Sequence, residues 1–194
     1  MTGRAMAGTA YPDESEAAGA TTLFSFSGAP EALPAHRLTA VHREVLAAWN
    51  ARRAGRPAPL RAALDPADFP RCLANVLLWE CTADGGYRCR LSGGEVDAAF
   101  GGSLRGVALA ELACPELGEA RREFDAVRDR CAASYAERTL GWLGKPHLSY
   151  RHLLLPLQDE AGRVHRLLGV LTLAPAPFAT RRRHAAPAGR GLSA

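Results

Sequence analysis

Apolar positions in this chain change period several times, and each change marks an element. Leu38, Val41, Val45, Leu46, Ala48 and Trp49 recur at three- and four-residue spacing, the pattern of one helical face. Arg37, Arg43, Glu44 and Arg53 fall on the opposite side, and Gly55 followed by Pro57 stops the helix. Residues 57–70, with four prolines and two aspartates, read as an extended connection. Residues 75–81 are apolar on both faces until Glu80, which suits a strand covered on both sides. Ala83-Asp84-Gly85-Gly86 supplies residues that tolerate positive φ, the chemistry of a tight hairpin. In the next strand Tyr87, Cys89 and Leu91 alternate with Arg88 and Arg90, so one face is covered and the other wet.

Two short helical pieces follow, over 95–100 and 107–113, interrupted by Gly101-Gly102 and ended by Pro115. The stripe Leu117, Ala120, Phe124, Val127 and Cys131 predicts a longer helix over 116–135. Strands are then expected over 138–143, 148–157 and 164–174, separated by Gly144-Lys145-Pro146 and by the turn at 158–162. A hairpin and a three-stranded meander around a helical insert give an α+β domain. The expectation is one five-stranded antiparallel sheet with that insert, preceded by an amphipathic N-terminal helix. Residues 1–35, rich in small residues and without a sustained period, read as a disordered arm, 36–177 as the domain, and 178–194 as a disordered basic tail.

Composition narrows the classes. The 194 residues are 47% hydrophobic, enough for one core. No run approaches the roughly 18–20 apolar residues of a membrane span, and the first 28 residues lack a secretory pattern. Five cysteines without CxxC or His-Cys spacing fit buried thiols better than a disulfide frame or a zinc site, so a cytoplasmic protein is expected. The net charge of +4 comes partly from Arg181, Arg182, Arg183 and Arg190 in the tail. That run reads as a solvated end, and neither nucleic acid nor a membrane is expected as a partner.

Three short signals follow one another at fixed spacing: Trp49-x-x-Arg52-x-x-Gly55-Arg56-x-x-Pro59, then Asp65-Pro66-x-Asp68-Phe69-Pro70-Arg71-x-Leu73, then Tyr87-Arg88-x-Arg90-Leu91-x-Gly93-x-Glu95-Val96. The last runs on to Ala99-Phe100-Gly101-x-x-Leu104-x-Gly106. In this order they resemble a family of small stand-alone bacterial PAS-domain sensors, and the element order agrees over about 38–173. Gly94 and Arg105 depart from the family pattern, which commonly has Thr at both places. The resemblance implies a sensory or regulatory module without catalysis, acting through contact with an unidentified signalling protein. It also implies a cavity between sheet and helices, with Trp79, Tyr87, Cys89, Phe100, Phe124, Cys131, Trp142, Tyr150 and Leu154 as candidate lining. The same groups would equally fill a solid core, which leaves a ligand-free scaffold as the alternative.

Other chemistry is thin. Asp65 and Asp68 lie three apart in a proline-rich loop with no histidine partner, so turn formation and capping are expected of them. The helix over 116–135 has no histidine for a haem axial position, and no flavin-type cysteine motif is present, so no cofactor is expected. His152 and His165 fall on adjacent strands, and a haem or metal protein using them stays open as a third reading. Cys114 has no adjacent base, and no phosphate-binding glycine loop occurs, so an enzyme is not expected. The stripe Leu38, Val41, Val45 and Trp49 needs a surface, which is either the sheet or a second copy in a homodimer through residues 38–49.

Overall fold

The computed structural model describes residues 22–112 and 114–176. One antiparallel sheet organises them. Its strands are β1 (Thr22–Gly28), β2 (Val76–Cys81), β3 (Tyr87–Ser92), β4 (Ala133–Leu140), β5 (Lys145–Gln158) and β6 (Val164–Pro175), in the order β1-β4-β5-β6-β2-β3. Helix α1 (Ala40–Ala51) covers one face, while α2 (Gly94–Phe100) and α3 (Leu117–Arg130) cover the other. The domain is α+β as expected, with six strands instead of five.

The extra strand is a correction. Thr22–Gly28, assigned to the disordered arm, pairs antiparallel with β4 from Thr22↔Arg138 to Gly28↔Ala133. Its alternation is short: Phe24 and Phe26 turn toward the core around Tyr135, whereas Ser25 and Ser27 are exposed. Phe24 is further held by the Tyr135 ring at 6.2 Å and by the Arg37 guanidinium 4.1 Å from its ring centre. Residues 29–35 of the expected arm also belong to the domain, with a 3-10 turn at Pro30–Ala32 and Leu33 buried in the core, whereas residues 1–21 and the expected tail lie outside the described residues. Deleting residues 1–28 is therefore expected to destabilise the domain by about 2–3 kcal/mol, from two half-buried phenylalanines and their ladder. A thermal melt should register a fall of roughly 5–10 °C; an unchanged melting temperature would show that the strand contributes nothing.

α1 starts at Thr39, whose hydroxyl accepts from the His42 backbone N–H at 3.3 Å, while His42 Nδ1 accepts in return from the Thr39 N–H. His42 Nε2 lies 3.3 Å from the Val170 carbonyl, so the neutral Nε2–H tautomer satisfies both ring nitrogens. Burial pushes its pKa down to about 4, in keeping with that neutral state. Leu38, Val45 and Trp49 are buried against Tyr135, Leu153, Leu155 and Val170 of the sheet, with Val41 partly buried beside them. Of the two roles expected for this stripe, these side chains occupy the sheet-capping one. Trp49 Nε1 donates to the Pro156 carbonyl at 2.9 Å. Pro156 is tolerated inside β5 because the β4 pairing has already ended at Ser134↔Leu154, so no ladder bond needs its missing N–H.

The motif spacing now has physical causes. Arg52 makes a two-point contact with Asp68 at 3.1 and 2.5 Å, while Asp65 and Asp68 cap the short 3-10 turn at Pro66–Asp68. Both aspartates thus have the turn-forming role expected of them. Gly93 is required by a close approach: a Cβ there would lie 2.2 Å from the Leu73 carbonyl oxygen and 2.4 Å from that of Ala74.

Two boundaries differ from the sequence pattern. The helix expected over 116–135 ends at Arg130, Cys131 takes a left-handed conformation (φ 51°), and β4 begins at Ala133. Backbone pairing to both β1 and β5 overrides the helical period there. Among the described residues of the segment 107–113, the helical part is a short 3-10 turn at Leu109–Glu111. Around it the chain pairs with β3, through Cys89 N–H to Val107 and Gly106 N–H to Cys89 at 2.9 and 2.8 Å.

Candidate functional site

Strand alternation divides the side chains between two cores. Leu77 and Trp79 of β2, Leu140 of β4, Tyr150 and Leu154 of β5, and Leu167 and Leu171 of β6 point toward α2 and α3. Between this face and the helices lies a cavity of about 60 Å³. The strands contribute Leu77, Trp79, Arg138, Tyr150, His152 and Leu171 to its wall, and α3 contributes Leu117, Ala120, Glu123 and Phe124. Phe100 at the end of α2, Leu104, Leu109, Leu112 and Cys114 of the connection, and Trp142 of the 3-10 turn after β4 complete it.

Aromatic rings stiffen this wall. Phe124 meets Trp79 edge-on at 5.3 Å and Tyr87 at 5.0 Å, and Phe100 meets Trp142 at 5.9 Å. Tyr87 also donates its hydroxyl to Asp125 at 2.7 Å. Burial, reinforced by that hydrogen bond, holds the Tyr87 phenol well above its ordinary range.

One corner is ionic. Arg138, 3% exposed, donates through Nη2 to Glu123, and its Nε lies 3.2 Å from both Glu116 and the Thr22 hydroxyl. That hydroxyl is also within 3.1 Å of Glu116 and 3.0 Å of Glu119, so strand β1 is tied into the same cluster. Burial pushes the Glu123 pKa up against the opposing pull of Arg138. Arg138 stays charged despite its burial because Glu123 and Glu116 lie against it. His152 is driven down to about 3, by burial first and by the Arg138 charge second, so its imidazole is neutral.

Three nitrogens of wall residues, Trp79 Nε1, Trp142 Nε1 and His152 Nε2, are buried without a hydrogen-bond partner among the described residues. His152 Nε2 lies over Gly169, where a Cβ would come within 2.9 Å of it and within 3.0 Å of Leu77 Cβ. Glycine at 169 is what leaves room for the histidine ring there.

Five of the nine expected lining residues border the cavity: Trp79, Phe100, Phe124, Trp142 and Tyr150. Tyr87, Cys89 and Leu154 pack in the same layer without bordering it. Cys131 lies with the opposite core, where Gln158 Nε2 approaches its sulfur at 3.8 Å, because α3 ends before it. Glu123 and Arg138 were missed. The strand expected over 138–143 starts at Arg138, whereas β4 begins at Ala133, and Arg138 shares a face with Leu140.

The remaining candidates for chemistry are dispersed. The register pairs His152 with Leu171, several residues along β6 from His165, so the two histidines do not converge. Among the described residues no group of three His, Cys, Asp or Glu side chains gathers to hold a metal ion. Burial raises the pKa of all five thiols, to about 11 for Cys81 and Cys89, which opposes nucleophilic use at neutral pH. A wider groove of about 370 Å³ outside the β2–β3 hairpin is bounded by polar groups that already have partners: Arg121 with Asp125 and Gly85, and Arg88 with Gly106. No described helix is long and apolar enough to cross a membrane.

Comparison with known proteins agrees with this architecture. Neither a curated protein nor a solved structure matches the chain. A family model described as PAS domain matches residues 38–172, from the start of the α1 stripe to the end of the β6 core. That span is more than half of the chain and carries both sheet faces and the cavity, and the chain belongs to the PAS domain family.

Proposed function

We propose that this chain is a non-catalytic sensory module which binds a small molecule in the cavity and passes the signal to a protein partner. PAS domains are, in general, sensory and signalling modules, and the finer reading rests on one observation. That observation is the cavity of about 60 Å³ between sheet and α3, with aromatic walls, a neutral histidine and a buried ion cluster at one corner. Apolar and aromatic walls with a few placed polar groups are what small-molecule sites generally have. Partner contact is assigned to the outer surface of α1, where Glu44, Ala47 and Ala51 face outward near Arg52 and Asp68. A homodimer through residues 38–49 would use that same surface, because Leu38, Val45 and Trp49 are occupied by the sheet.

A scaffold with a filled core is the second reading, favoured by the close packing of Tyr87, Cys89 and Leu154 beside the cavity. Ala120→Leu separates the two. In an open cavity the added methylenes are accepted with little loss of stability and displace an occupant. In a filled core they overpack it at about 1–3 kcal/mol. Thermal-shift screening of small molecules against wild type is expected to find stabilisers, since a ligand raises stability by its preference for the folded state. Those stabilisers should lose their effect on Ala120→Leu. A destabilised variant together with a wild type that no compound stabilises would leave the scaffold reading standing.

A further inference from the structure

We infer that the chain forms a homodimer by pairing the outer edge of strand β1 with the same edge of a second copy, antiparallel about a two-fold axis, so that the two sheets join into one. The inference is independent of the cavity, and it uses a surface separate from the outer side of α1.

The two edges of the sheet differ. β3 ends it on one side, and that edge is covered: Cys89 donates its backbone N–H to Val107 and accepts from that of Gly106, and Arg88 forms a β-bridge with Ala108. β1 ends it on the other side, and among the described residues nothing pairs with its outer edge. A row of unpaired N–H and C=O groups is a template for another strand, and natural edges are commonly guarded by charged side chains or Pro. Thr22-Leu23-Phe24-Ser25-Phe26-Ser27-Gly28 has neither, and its one irregularity, a register shift, lies at the Thr22 end. β1 also precedes residue 38, where the family match begins, so this edge is not part of the matched domain.

Symmetry then selects the register. Antiparallel pairing edge to edge places the two-fold axis perpendicular to the sheet, so both α1 helices lie on one face and both α3 helices on the other. The register that overlaps all of β1 sets Ser25 opposite its own copy, Thr22 opposite Gly28, and Phe24 opposite Phe26. Phe24 and Phe26 are half-buried on the α1 face. This register covers what remains of them with two cross-strand aromatic pairs.

Charge on the α3 face agrees with that arrangement. A groove of about 490 Å³ lies beside β1, lined by Ser25, Ser27 and Ala126 and by Glu119, Arg122 and Arg130, all three exposed. Glu119 is at the Thr22 end, where it accepts from the Thr22 hydroxyl at 3.0 Å. Arg130 is at the other end, just before Ala133, which pairs with Gly28, and it has no ion pair among the described residues. The two-fold axis exchanges the ends of β1, so it brings Glu119 of each copy to Arg130 of the other. A patch negative at one end and positive at the other is complementary to its own copy.

Sedimentation of the full chain from about 1 to 100 µM spans the affinities of a small interface, and a monomer–dimer equilibrium is expected within it. Arg130→Glu alone and Glu119→Arg alone each set like charges against each other at both contacts, and each should weaken the dimer about tenfold or more at low salt. The double variant exchanges the charges and should return to within about threefold of wild type. Melting curves of the same variants separate loss of the contact from loss of the fold. Ser25→Cys reads the register: mild oxidation should link two copies through residue 25, whereas Ser27→Cys, which faces Leu23, should stay unlinked. Wild type, with its five free cysteines, is the blank. A chain that stays monomeric throughout overturns the inference. So does a dimer that both charge variants leave intact and Ala47→Asp weakens, which would place the contact on α1. Dimerisation that appears only after residues 1–21 are removed would also overturn it, by assigning the edge to the chain's own arm.

Discussion

Val45→Asp is expected to unfold most of the protein at neutral pH. Val45 has no exposed surface and lies in the centre of the α1 stripe, among Trp49, Leu153, Leu155 and Val170. Its neighbours in that cluster are hydrophobic side chains, so the carboxylate would enter an apolar layer unpaired. A loss above about 4 kcal/mol is the exceptional class for a single change, and a typical domain has only about 5–15 kcal/mol in total. Ala47→Asp, two residues on and therefore on the opposite, exposed side of the helix, is the control and should change the melt little. Chemical denaturation of both variants, with sedimentation to follow mass, checks the assignment. A Val45→Asp protein that melts like wild type would mean that α1 does not cap the sheet. An Ala47→Asp protein that changes oligomeric state at constant stability would mark the outer surface of α1 as a contact between copies.

The α1 result illustrates which parts of this fold were legible in the sequence. A helix with one apolar face announces itself through a period that no strand can imitate, and the β2–β3 hairpin did so through two-residue alternation and its Gly-rich turn. What stayed hidden depends on partners distant in sequence. Thr22–Gly28 has only two large apolar residues on its inner face, and it is a strand because β4 offers a free edge 100 or so residues later. The end of α3 was read too late for the same reason, since 131–135 continues a helical stripe and only pairing with β1 and β5 makes it extended. That one boundary error decided the candidate site. It left Cys131 among the expected pocket residues and put Arg138 at a strand start, where its facing could not be read. The aromatic lining was visible because Trp79, Phe124 and Tyr150 each have a clear facing by period. Glu123, on the polar side of a stripe judged by hydrophobicity alone, was not. Its burial follows from Arg138, and that pairing is a property of the fold.

Arg138→Met is the second change with a large expected effect, and its pH dependence makes it diagnostic. Arg138 is 3% exposed and holds Glu123 and Glu116, whose side chains are 14% and 15% exposed. Methionine keeps much of the apolar stem but leaves Glu123 desolvated without a cation. Breaking a buried pair from one side costs about 3–5 kcal/mol, so the melting temperature at pH 7 should fall by roughly 10 °C or more. The sign with pH follows from the carboxyl. Burial already raises the folded-state pKa of Glu123 above its unfolded value, with Arg138 pulling it back down. Removing Arg138 removes that opposing pull, so the folded variant binds a proton at Glu123 more tightly than the unfolded chain does. Protonation then favours the folded form, and the deficit against wild type should shrink as pH falls from 7 toward 5. The pair Arg138→Met with Glu123→Leu replaces both charges by apolar groups, and most of the lost stability should return at all pH values. Urea denaturation of wild type, the single and the double variant at pH 5 and 7 measures this. A single variant whose deficit is the same at both pH values would show that Glu123 is not the group left stranded. The ion cluster would then not be what ties β4, α3 and strand β1 together at the corner of the cavity.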